Sequence, residues 1–185
     1  MAASHGFGSW RHLAGRFFTA LSPAGPPSAD EAWALGWLLE GEQALWRRMS
    51  GPDRRHAVEV ARGTLRLLPT GQPGRDVVAA ALLHDVGKVE CGFGTFARVG
   101  VTLAAITAGR NRLLSWAEAT GPRGRPSLRR RTGLYLSHDR LGADLLEAAG
   151  SEALTVNWAR EHHLSPARWT VDARVGAALK EADGD

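Results

Sequence analysis

Five of the seven histidines in this chain of 185 residues fall, with two aspartates, into an ordered series: His56, the doublet His84-Asp85, His138, the doublet His162-His163, and Asp183. Neutral imidazole nitrogens and carboxylate oxygens are the donor set for zinc, iron or manganese, and a carboxylate can bridge two ions. Each member has apolar neighbours at helical spacing. His56 lines up with Val60, Gly63 and Leu67; His84 with Val77, Ala80 and Ala81; His138 with Leu141, Leu145 and Ala149. His162 lines up with Trp158 and Thr155, and Asp183 with Leu179 and Gly176. Five separate helices would therefore each turn a ligand-type side chain toward the side that is buried.

Taken singly, each member has a plainer explanation. A histidine on an apolar face serves as a core residue hydrogen-bonded to a carbonyl. His162 and His163 near a helix end would complement its dipole, and Asp183 would sit exposed in a frayed tail. Taken together they differ, because burying several imidazoles and carboxylates side by side is costly unless something satisfies them all. A cation does so.

The segment HDVGK, residues 84–88, adds an independent hint. Adjacent residues on a helix point about 100° apart, so His84 and Asp85 share a site only where the helix ends and its backbone turns. Gly87 is expected to supply that end as a left-handed C-terminal turn. Lys88 is one of two lysines, with Lys180, against 21 arginines. In such a chain a lysine suggests a need for a compact point charge, such as one contacting a phosphate oxygen.

His56, then the HD doublet at 84–85, then Asp183 resembles the H…HD…D signature of the HD superfamily of metal-dependent phosphohydrolases, and AALLHDVGK is close to that family's central motif. The similarity covers roughly residues 50–185. His138 and the pair His162-His163 resemble the extra ligands of the binuclear branch that includes the HD-GYP phosphodiesterases. No Gly-Tyr-Pro motif is present, because LSPARWTVD follows His163. HDVGK also lacks the paired acidic residues that members acting on guanosine polyphosphates place after their HD.

The resemblance implies that His56, His84, Asp85 and Asp183 hold one divalent transition metal and that His138, His162 and His163 hold a second, with Asp85 bridging. Iron, manganese and zinc are the candidate ions. Asp85 and Lys88 are then the catalytic residues, and Lys88, Arg55 and Arg140 the candidate phosphate contacts. Two ions about 3.5–4 Å apart acidify a bridging water, so the implied reaction is attack of a metal-activated hydroxide on the phosphorus of an ester, with a nucleotide as the expected substrate. The alternative is a non-catalytic HD module that binds metal or nucleotide as a sensor.

The elements that must position these residues read as helices. Helical spacing is expected over 30–49, with Ser28 or Asp30 as its cap, then over 53–68, 75–84, 137–149, 151–162 and 171–182. Residues 96–120 could add one or two more, although β-branched Val99, Val101, Thr102 and Ile106 weaken that reading. No strand alternation or repeat is evident. The expected fold is all-α, one compact HD-type domain of six to eight helices over residues 31–185, preceded by an N-terminal arm over 1–30. Trp33, Trp37 and Trp46 at helical spacing are expected to pack between helices instead of forming a base-stacking platform.

Composition narrows the classes further. One cysteine, Cys91, excludes an internal disulfide framework and suits a reducing cytoplasm. The longest uncharged stretches, 17–29 and 99–109, are too short to cross a bilayer, and the first residues lack the apolar core of a secretory signal. The sequence pI of 10.2 comes with a net charge of only +4, which argues against a specific nucleic-acid partner. Arg123, Arg125, Arg129, Arg130 and Arg131 form the one dense basic cluster, expected to be a solvated loop. Phe17 and Phe18 with their basic neighbours allow a membrane-surface reading on slender grounds.

Overall fold

Val77, Val78, Ala79, Ala80, Ala81, Leu82 and Leu83 are consecutive and all buried, so their helix is apolar on every side and has to lie at the centre of a helical assembly. In a computed structural model of the chain, which describes residues 23–69, 73–91 and 127–184, that helix is α4 of eight α-helices. In chain order these are α1 (Ser28–Trp37), α2 (Glu40–Arg48), α3 (Gly51–Leu67), α4 (Arg75–Leu83), α5 (Leu128–Leu136), α6 (His138–Ala148), α7 (Ala153–Glu161) and α8 (Ala173–Asp183). Two 3-10 turns, Val86–Glu90 and Pro166–Arg168, complete the described elements, and no strand occurs among the described residues. The fold is all-α. Among the described residues no helix is long and apolar enough to cross a membrane.

α4 packs against α1, α3 and α7; α8 lies along α3, and α6 lies along α7. The turn Val86–Glu90 leaves the end of α4 and wedges between α2, α5 and α6. Residues 1–22 of the expected arm and the whole 96–120 segment lie outside the described residues. Ser28, Ala29 and Asp30 already belong to α1.

Several expectations need correction. The helix expected over 30–49 is two helices, broken at Leu38 and Leu39, whose backbones are extended. A buried acid causes the break: Glu42 Oε2 accepts from the Leu39 N–H at 2.8 Å and from Arg75 Nη1 at 2.8 Å. α1 has no side-chain cap, since Pro27 occupies the N-cap position instead of Ser28 or Asp30. Arg129, Arg130 and Arg131 are not loop residues but part of α5, which starts where Ser127 Oγ accepts from the Arg130 N–H at 3.2 Å. Arg123 and Arg125 lie outside the described residues. Trp46 is fully buried, and Trp33 and Trp37, edge to face at 6.4 Å one turn apart on α1, are partly buried against the core, as the packing expectation has it.

Gly87 does not form a left-handed turn; among the described residues only Gly150 and Gly184 have positive φ. Its value is closeness. A Cβ at Gly87 would run into the His138 carbonyl and lie 2.6 Å from the Gly142 backbone nitrogen. The turn and α6 thus touch backbone to backbone, which carries Asp85 to His138. Gly87→Ala is expected to cost about 1–3 kcal/mol, because backbone atoms cannot yield to the added methyl. Urea denaturation of the two proteins measures the difference.

Candidate metal centre

Helix ends supply nearly every side chain of the expected series. His84 caps the C-terminus of α4, His138 opens α6, His162 caps the C-terminus of α7, and Asp183 is the last residue of α8. His56 comes from the first half of α3 and Asp85 from the bend before the 3-10 turn. α8 closes on Gly184 in the left-handed conformation (φ 78°), so Asp183 is held at a finished helix end and is not a frayed residue.

Three of the imidazoles are oriented by their own helix ends. His84 Nδ1 donates to the Ala81 carbonyl at 3.0 Å, His138 Nδ1 to the Tyr135 carbonyl at 2.6 Å, and His162 Nδ1 to the Ala159 carbonyl at 2.9 Å. A carbonyl can only accept, so a proton sits on Nδ1, and each ring, when neutral, presents the Nε2 lone pair on its other side.

Those lone pairs converge. His84 Nε2 is 3.5 Å from Asp85 Oδ2 and 3.6 Å from Asp183 Oδ1. His138 Nε2 is 3.3 Å from Asp85 Oδ1 and 3.2 Å from His163 Nε2. His162 Nε2 lies 3.9 Å from Asp85 Oδ1 and is buried with no hydrogen-bond partner. His56 Nε2 meets Asp183 Oδ1 at 2.8 Å. Two groups of donor atoms result, His56, His84 and Asp183 in one and His138, His162 and His163 in the other, each within 4.8 Å of one another. The Asp85 carboxylate stands between them with one oxygen toward each.

The donor set fits a pair of divalent transition cations. Ligand bonds of about 2.0–2.2 Å place neighbouring donors of a tetrahedral site ~3.4 Å apart, close to the spacings found. Without a proton or a cation between them, lone pairs and carboxylate oxygens at these distances repel, and the orphaned His162 Nε2 is the clearest sign of a missing partner.

Electrostatics points the same way. Burial lowers the pKa of His162 to about 2, with His84 and His163 adding to the effect, so this ring is neutral and able to ligate. Burial works against ionised Asp85, but the Lys88 ammonium beside it, then His84 and His138, hold its carboxyl well below the usual range. Asp183 is likewise depressed: its burial is outweighed by the hydrogen bond from His56 and the charges of His84 and His56. Burial would lower His56, yet the hydrogen bond to Asp183 and that carboxylate's charge raise it.

These shifts set a pH dependence for the metal-free chain. His162 is depressed, so its contribution is complete above the unfolded value of 6.5 and is lost as pH falls below it. His56 is raised, so its contribution is complete below 6.5 and is lost as pH rises through the folded value. Stability in a chelator should therefore peak near pH 6.5. It should fall by up to about 1.4 kcal/mol per pH unit on the acid side, more steeply once the two aspartates begin to protonate. Urea denaturation from pH 5 to 8 checks this; a flat profile between 5 and 6.5 contradicts the buried neutral imidazole.

Lys88 forms an ion pair with Asp85 Oδ2, and burial, which would lower its pKa, is outweighed by that carboxylate, so the ammonium stays charged. Arg55 is half-buried beside His56 on α3, and Arg140 is exposed two residues past His138 on α6; neither belongs to the two donor groups. The apolar stripes expected beside the ligands were partly misplaced. Leu67 is 44% exposed, and the most buried face of α6 runs through Gly142, Ala143 and Leu146, while Leu145 and Ala149 of the expected stripe pack against the core half-buried.

Two contributors escaped the sequence reading. Tyr135 stacks on His138, with ring centres 5.7 Å apart and 30° between planes, besides offering it a carbonyl. Lys180 donates to the His162 carbonyl at 2.9 Å. The scarcity of lysine was the available signal for Lys180; for Tyr135 it was the position three residues before a candidate ligand.

Comparison of the chain with protein-family models, with curated proteins and with solved structures returns no match, so the functional reading rests on this geometry and on the residues that build it.

Proposed function

We propose that the chain is a two-metal phosphohydrolase of the HD superfamily that cleaves a phosphate ester, with a nucleotide as the expected substrate. The observation that carries the reading is the convergence of three Nε2 lone pairs, each committed inward by an Nδ1–H bond to a carbonyl, on a single buried carboxylate. A pair of divalent cations bound there would supply an acidified water and positive charge for the oxygens of a phosphoryl group.

The chain's own groups do the rest. Asp85 offers one oxygen to each donor group, so it sets the spacing between them. Lys88 is held by that carboxylate at the edge of the site, its side chain 19% exposed, where a phosphate oxygen can reach it. A fixed ammonium there neutralises charge on non-bridging oxygens at no reorganisation cost. The imidazoles run as a row, His56, His84, His162 and His163, with ring centres 5.8, 5.4 and 4.0 Å apart. Its middle members are buried, whereas His163 is exposed and His56 lines a groove of about 500 Å³ between α3 and α8. The middle of the row is thus shielded from bulk solvent, which strengthens the electrostatic contacts inside.

The test is elemental analysis of freshly purified protein, run beside a hydrolysis screen of nucleoside monophosphates, dinucleoside polyphosphates and cyclic dinucleotides. Two transition-metal ions per chain with turnover of one phosphoester class are expected. Two ions and no turnover on any ester would favour a metal- or nucleotide-binding sensor. A protein that purifies without metal and cannot be loaded would overturn the metal-centre reading itself.

A further inference from the structure

Both lysines of this arginine-rich chain are at the donor cluster: Lys88 pairs with the Asp85 carboxylate, and Lys180 donates to the His162 carbonyl. We propose that Lys180 is a positioning residue for the second donor group, a strut that fixes the end of α7 carrying His162 and His163 against α8, which carries Asp183. This deepens the two-metal reading and rests on it.

His162 stands where α7 ends, so its carbonyl is one of the acceptors that a helix C-terminus leaves without an internal partner, at the negative end of the helix dipole. Lys180 Nζ donates to it at 2.9 Å across the gap from α8.

The strut has an anchored end and a dependent end. Lys180 lies one helical turn before Asp183, and its own carbonyl accepts from the Gly184 N–H that closes α8. α8 is seated on α3, where Gly63 leaves room for Ala182 and where His56 binds Asp183. α7 is seated on α4 and α6, and the Lys180 bond ties its C-terminal end to α8. The His162 ring is aimed by the Ala159 carbonyl of the same helix, so moving the backbone at His162 moves its Nε2 with it. His163 follows directly in the chain. A second tie, from the Glu161 carboxylate to the Thr170 N–H and hydroxyl at 2.6 and 2.7 Å, holds the loop that leads toward α8. The fold should therefore survive loss of the strut while the aim of the His162-His163 pair does not.

The experiment is a Co²⁺ titration of the full-length chain followed by visible absorption, with circular dichroism as a fold check, on wild type, Lys180→Met and Lys180→Arg. Wild type should bind two ions. Lys180→Met should keep its helicity and one unaltered site, and bind the other ion about 10- to 100-fold more weakly, the loss typical when a ligand loses its outer support. Lys180→Arg, which keeps charge and donors, should recover most of that affinity. Equal loss at both sites, or two ions bound by Lys180→Met as by wild type, would overturn the proposal. Should Lys180→Met not fold, Lys180→Gln, whose amide stops short of the carbonyl, is read with the same expectations. A wild-type chain that binds no Co²⁺ would instead overturn the two-metal reading.

Discussion

Asp85→Ala is expected to lower phosphoester hydrolysis by on the order of 10³-fold or more and to reduce metal content from two ions to one or none. The reason is geometric. Asp85 turns Oδ2 toward His84 and Oδ1 toward His138 and His162, so its removal deprives both donor groups of an anionic ligand at once. It also leaves the Lys88 ammonium without its carboxylate, which adds repulsion against any bound cation. Asp144→Ala is the control, since that carboxylate is exposed on α6 and pairs only loosely with Arg160 at 3.8 Å. It should leave metal content and turnover unchanged. Metal analysis and steady-state rates on the two variants decide the matter, and an Asp85→Ala protein that keeps two ions and its rate removes the shared carboxylate from the mechanism.

Each metal ion bound should raise the thermal midpoint of the chain by about 5–10 °C. Free ion at 100 times its dissociation constant contributes about 2.7 kcal/mol, and a chain of this size gains about 2–4 °C per kcal/mol. His162→Leu should abolish most of the gain from the ion held by the His138, His162 and His163 group while leaving the metal-free protein within about 1 kcal/mol of wild type. The imidazole's Nε2 is buried without a partner, so a leucine removes an unsatisfied polar atom as well as the Nδ1–H bond to Ala159, and the two effects oppose each other. An ordinary core histidine behaves otherwise: its replacement would cost stability equally with and without metal. Scanning calorimetry on both proteins, with chelator and with saturating metal, separates the two explanations.

The candidate site was legible in the chain to an unusual extent because its members sit at helix ends, and helix ends are written locally. Spacing by three and four marks the helices, and a doublet such as His84-Asp85 can serve one site only where a helix stops. Other features were hidden for equally physical reasons. The break after Trp37 depends on Glu42 meeting Arg75, 33 residues away, which no local preference encodes. The start of α5 was read as part of a basic loop because a run of arginines carries no apolar period, although Ser127 was available as its cap. Gly87 was assigned a left-handed turn because that is the common use of glycine after a helix; its actual use is to let α6 approach, which involves residues some fifty positions later.

Period and capping thus sufficed for the all-α class and for naming which side chains could ligate, since both depend on dihedral preferences within a turn or two. Even the inward-facing nitrogen of His84, His138 and His162 follows from a carbonyl three residues earlier. Which oxygen each nitrogen meets is another matter. His56 and Asp183 stand 127 positions apart and touch only because α8 lies on α3, and Asp85 reaches His138 only because two backbones pack with no side chain between them. Distances of that kind come from how faces of different helices exclude water together, a property of the packed whole that no stretch of neighbouring residues contains.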